Sequence, residues 1–233
     1  MGLRCIALIV AQCGCCQAQS QDTKAPYPNM APVDQYMMER GAEIALARSA
    51  APATISGDAE VLVLGRHGYE VAVKGKNGFA CVVERSWMSG FRDDPEFWNP
   101  KQRAPVCFNP PAVRFVLPLT MKKTELVLAG LSKAQVLDGF EAFGKKELPP
   151  LESGAMSFMM SIDAYLSDTA GHAGPHLMFY VARTEASAWG ADLHGSPVML
   201  GFEQFPGAPT PVAMFIIPVS HWSDGTSTTP HAH

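Results

Sequence analysis

The sequence predicts an α+β fold, a mainly antiparallel sheet (a β-meander plus C-terminal strands) with helices packed on one face. Three observations predict it: glycine-punctuated, alternating apolar runs between residues 61 and 87, two stretches of helical periodicity between 118 and 148, and a return to short apolar runs from 155 onward.

Taken in order, Pro32 opens a first helical pattern at a position where its missing N–H costs nothing, with Val33, Met37, Gly41 and Ile44 on one face, and Pro52 stops it. The stretch VLVLGRHGYEVAVKGKNGFACVVERSW then reads as three strands with two tight turns. Asn77-Gly78 is a strong hairpin signal, because both central residues of a type I′ turn need positive φ. A two-residue loop there sets Val73 opposite Val82 and Glu70 opposite Arg85, an ion pair across the strands. It also places Tyr69, Val71, Val73, Ala80 and Val82 on one face. Residues 91–111 hold prolines at 95, 100, 105, 110 and 111, which argue against a regular helix or central strand. This segment is expected to be a long loop that docks Phe97 and Trp98 on the sheet or uses them as a ligand lid.

Pro118 starts a helix that Gly130 ends, and Ser132 with Gln135 forms a capping box for the next. Val136, Leu137, Phe140 and Phe143 make the apolar stripe of that second helix, which Leu148-Pro149-Pro150 ends. Strands are expected near 155–161, 176–181, 197–205 and 212–219, with a short helix capped by Thr184 and a turn at 206–209.

The N-terminus, MGLRCIALIVAQCGCCQAQSQD, has one basic residue, a short apolar run and small residues near 18–20, so 1–20 reads as a signal peptide, 21–225 as a single domain and 226–233 as a disordered tail. The apolar run is too short to span a membrane. Cys13, Cys15 and Cys16 offer lipid anchoring as the alternative to a secreted or periplasmic protein. Beyond the leader only Cys81 and Cys107 remain. In an exported chain they pair to close a loop of about 27 residues, worth about 3 to 4 kcal/mol, the alternative being two buried thiols.

Of 233 residues 47% are hydrophobic and 17% charged, which fits a folded domain. Without the leader, 17 basic face 22 acidic residues, a balance that gives nucleic acid no electrostatic footprint. Lys122-Lys123 and Lys145-Lys146 read as solvated helix surface and Glu84-Arg85 as a surface pair.

The blocks VLGRHGYEVAVKGKNGFACVVERSW, FWNPKQRAPVCFNPP and PHLMFYV resemble segments of a group of uncharacterised exported bacterial proteins. The resemblance implies export and a single domain and brings no activity or site residue.

His172 and His176 have the H-x3-H spacing that suits zinc, with Asp168, His194 and His221 as further candidate ligands, although Gly171, Gly174 and Pro175 work against the helix that spacing normally uses. Ser157 or Ser161 with either histidine is a weaker route to hydrolysis. No nucleophile elbow, zincin helix or phosphate-binding loop occurs. The first expectation is therefore a non-catalytic domain that binds a small ligand or envelope partner through the proline-rich and His172–His176 loops. The second is a metal-dependent hydrolase using His172 and His176.

Overall fold

The computed structural model describes residues 26–88, 93–147, 149–182, 185–202 and 212–228. The expected leader with Cys13, Cys15 and Cys16, the Thr184 cap, the 206–209 turn, and His231 and His233 of the tail lie outside them. In chain order the elements are α1 (Arg40–Arg48), α2 (Ala53–Ser56), β1 (Glu60–Gly65), β2 (Gly68–Val73), β3 (Ala80–Glu84), β4 (Ala104–Phe108), α3 (Pro110–Phe115), α4 (Leu117–Leu128), α5 (Lys133–Glu147), β5 (Met156–Met159), β6 (His176–Ala182), β7 (Met199–Phe202) and β8 (Val212–Pro218). The strands form one sheet in the order β2-β1-β3-β4-β5-β6-β8-β7, antiparallel except where β1 meets β3. The fold is α+β.

Alternation along the central strands divides the core. Leu62, Leu64, Ala80, Val82, Val106 and Phe108 join the cluster that holds Leu119, Val136 and Phe140 of α4 and α5. Val61, Cys81, Val83 and Cys107 face the other way, against Ala47 of α1. Towards the C-terminus that second face is covered by the 3-10 turn Ala186–Trp189, whose Trp189 ring stacks on Phe215 with centroids 4.6 Å apart. Helical elements thus cover both faces rather than one, which is why these strands read as continuous apolar runs.

The meander is replaced by a different path. β3 pairs with β1, and β2 is left at the edge. The reason lies at Asn77. Its Oδ1 accepts from the Phe79 N–H (3.1 Å) and its Nδ2 donates to the Ile55 carbonyl (2.7 Å), so Gly78 alone adopts positive φ and no type I′ turn forms. Residues 74–79 instead run across the start of β1, where Lys76 N–H donates to the Asp58 carbonyl at 2.7 Å. A bulge between Val61 and Leu62 also turns Val73 towards the α1 side, away from Tyr69. Glu70 therefore never meets Arg85. It pairs with Arg40 at 2.7 Å.

Three prolines sit in regular elements they were expected to be excluded from. Pro105 lies in β4, beyond the residues of β4 that pair with β5, so it has a strand partner only in β3. Pro110 and Pro111 occupy the first turn of α3, where the missing N–H groups have no helical partner to lose. Asn109 caps that helix by accepting from Ala112 N–H (3.1 Å) and binds β5 through Met156 N–H (3.0 Å).

The first helical pattern also breaks in two, because Glu39 caps α1 through Gly41 and Ala42 N–H. The Ser132–Gln135 box, the α4 and α5 spans and the four C-terminal strands all form where expected. The tail does not start at 226. Thr228 N–H donates to the Ser220 carbonyl (2.9 Å), and Ser227 bridges to His221.

Cys81 and Cys107 form a disulfide, with Cα atoms 4.0 Å apart, between directly paired residues of β3 and β4. Their sulfurs lie on the α1 side, the Cys107 Sγ 3.7 Å from the Ala47 carbonyl oxygen. Close by, Arg85 (0% exposed) meets Glu43 (1%) at 2.8 Å and donates through Nε to the Tyr36 carbonyl at 2.7 Å. Glu43 also accepts from Leu64 N–H (3.1 Å), so the pair links α1, β1 and the end of β3. Arg85 is thus a core residue, not a surface one. Lys123, read as solvated, is 2% exposed, with Nζ 4.9 Å from the Phe140 ring centroid.

Candidate functional site

The β3–β4 connection (85–103) and the β5–β6 connection (160–175) leave the sheet at one end, because Glu84 pairs with Ala104 and Met159 with His176 there. Reciprocal backbone bonds between Arg103 and Tyr165, 2.8 and 2.9 Å, hold the two connections side by side.

Asp168 is the meeting point. Its carboxylate accepts from Tyr27 Oη (2.5 Å), Tyr165 Oη (2.5 Å) and Lys101 Nζ (2.7 Å to Oδ1, 2.9 Å to Oδ2). Its backbone N–H donates to Glu96 Oε2 (2.8 Å), and the same oxygen accepts from Asn99 Nδ2 (2.7 Å). Glu96 and Asn99 are buried and hold the floor. Tyr27, Lys101 and Tyr165 reach the surface, where Lys101 Nζ sits 5.7 Å from the Tyr27 ring centroid. Three separate segments, the one around Tyr27 and the two loops, are thereby fixed to one carboxylate.

The electrostatics suit holding rather than reacting. Hydrogen bonds from Lys101 first, then Tyr165 and Tyr27, keep the Asp168 carboxyl well below the usual carboxylate range, and Asp168 in turn holds the Lys101 ammonium above its ordinary value. A carboxylate so fully occupied is a poor general base, and a lysine so firmly protonated is a poor nucleophile.

The histidines do not converge. The His172 Nδ1 donates to the Ala164 carbonyl, with the ring edge-on to Tyr165 at 6.2 Å between centroids. His176 Nδ1 donates to the Gly174 carbonyl at 2.8 Å. His194 is exposed, and exposed His221 contacts Ser220 Oγ through Nδ1 at 2.9 Å. Among the described residues no three His, Cys, Asp or Glu side chains come together to hold a metal ion, so this set does not fit zinc, and Asp168 is committed to Lys101 and the tyrosines. Ser157 and Ser161 are buried, sharing hydrogen bonds with Tyr180 Oη (3.0 Å) and Ser49 Oγ (2.6 Å), which closes both to a substrate. Phe97 and Trp98 are 1% and 6% exposed, edge-to-face at 4.6 Å within the main core, and thus offer no face to a ligand.

Tyr27, Glu96, Asn99, Lys101 and Tyr165 carried no signal in the sequence that tied them to Asp168. The one hint is the density of polar residues between prolines 95 and 105, in a loop that also buries two aromatic rings. A second unforeseen polar group lies under the sheet. Glu84 accepts from Thr120 Oγ1 (2.8 Å), and burial pushes its carboxyl up to about 7, while burial lowers Lys123, one turn further along α4, to about 8.

Compared with protein family models, curated proteins and solved structures, the chain matches none.

Proposed function

We propose that the protein is an exported, non-catalytic binding domain whose recognition surface, for a small ligand or an envelope partner, is built from the 93–103 and 163–172 loops. The observation that carries this reading is the convergence of both loops and the Tyr27 segment on Asp168, which makes one pre-organised surface of tyrosine, lysine and histidine from three stretches of chain. Ordering such loops in advance lowers the entropy lost on association, and tyrosine gives contact area at little rotamer cost. Export is supported by the Cys81–Cys107 disulfide, a bond that persists in oxidising compartments, and among the described residues no helix is long and apolar enough to cross a membrane.

The test is retention of envelope-extract components, small molecules and proteins alike, on the immobilised chain against Lys101→Glu and His172→Ala variants of unchanged circular dichroism. A component retained saturably by the unaltered chain and lost from both variants is the expected result. Equal retention by all three chains refutes the surface.

A further inference from the structure

The register of the C-terminal strands gathers a soft ligand set that the Asp168 surface does not use. Met159 of β5 lies directly opposite His176 of β6, and Met178 follows His176 two residues on, so all three occupy one face of the sheet. Directly paired residues on one face have Cβ atoms about 4.5 to 5.5 Å apart, and diagonal neighbours remain within reach of long side chains. Burial agrees with this placement. Met178 is part of the main cluster, Met159 packs against that cluster, and His176 is 9% exposed.

The imidazole is oriented as a ligand would be. Its Nδ1–H donates to the Gly174 carbonyl at 2.8 Å, which assigns the lone pair to Nε2, and Nε2 makes no hydrogen bond to the described residues. A backbone carbonyl on the other ring nitrogen is the usual device for fixing a metal-binding histidine. On its other side His176 faces Pro218 of β8, which brings no side-chain donor or charge.

We propose that Met159, His176 and Met178 form a binding site for a soft monovalent metal ion, Cu(I). Thioether sulfur selects copper in its lower oxidation state over zinc, calcium or magnesium. The set is also neutral throughout, so a monovalent ion places less uncompensated charge in a largely buried position than a divalent one.

The test is competition for Cu(I) against bathocuproine disulfonate in ascorbate, on the full chain carrying serine at 5, 13, 15 and 16 and alanine at 231 and 233, so that leader thiols and tail imidazoles do not contribute. One equivalent of Cu(I) withheld from the chelator is expected. Met159→Leu and Met178→Leu, which conserve volume and leave the fold intact, each weaken it by about 10-fold or more, while Met199→Leu leaves it unchanged. Complete transfer of Cu(I) to the chelator overturns the proposal, and so does a Met159→Leu/Met178→Leu chain that retains Cu(I) as the parent does.

Discussion

Two ion pairs of similar length organise this molecule in opposite ways. Arg85–Glu43 (2.8 Å) lies in the core with every approach closed, whereas Lys101–Asp168 (2.7 Å) lies at the rim with the lysine side chain 57% exposed. Away from water each charge of the first pair depends on the other and on the Tyr36 carbonyl and Leu64 N–H, so the pair fixes where α1 sits on β1 and β3. In the second, water screens the attraction, and the pair organises a surface without governing the fold. The same chemistry serves architecture in one place and recognition in the other.

The largest way to sharpen that contrast is to cut the buried pair. Arg85→Met leaves Glu43 charged and enclosed and should cost about 3 to 5 kcal/mol in urea unfolding, while Arg85→Met/Glu43→Leu should recover much of the loss. A single variant as stable as the parent would break the distinction. Next comes the Cys81–Cys107 bond beside it. Cys81→Ala/Cys107→Ala should cost about 3 to 4 kcal/mol by the loop-closure argument, read from the shift in urea midpoint.

A smaller effect tests the polar group below the sheet. A carboxyl raised to about 7 in the folded chain binds more protons there than in the unfolded chain, so its contribution is fully present below about 4.5 and is lost as pH rises through about 7. Lys123, lowered to about 8, has the opposite sign, its contribution being lost as pH falls from about 10.5 through 8. The decline in unfolding midpoint between pH 5 and 7 should therefore flatten in Glu84→Gln, and an unchanged slope would remove Glu84 from the account. Smallest of all, Lys101→Ala should leave the urea midpoint where it is, because both partners meet solvent. A midpoint lowered as far as in Arg85→Met would make the rim pair architectural too.

What the residues disclosed in advance was local. Helices α4 and α5, the Ser132–Gln135 box and the C-terminal strands follow from periodicity and capping within a few residues, and the disulfide follows from Cys81 and Cys107 being the two cysteines that come after residue 20. What stayed hidden depended on distant partners. Asn77 makes a hairpin turn or a side-chain turn according to whether the Ile55 carbonyl lies within reach, and the Glu43 burial that takes Arg85 inside is invisible in ERSW. Pro105 is tolerated only because its neighbour β5 ends early. The Asp168 surface draws Tyr27 from 141 residues away, a separation no spacing rule covers, and the H-x3-H spacing pointed instead to two imidazoles that each bond a nearby carbonyl.

Hydrogen exchange of Asp168→Asn against the parent chain tests most directly whether one carboxylate joins the loops. Faster exchange in 93–103, in 163–172 and around Tyr27 together, with β3, β4 and α1 unchanged, is the predicted result. Faster exchange confined to 163–172 would mean that the segments are held independently and share no common surface.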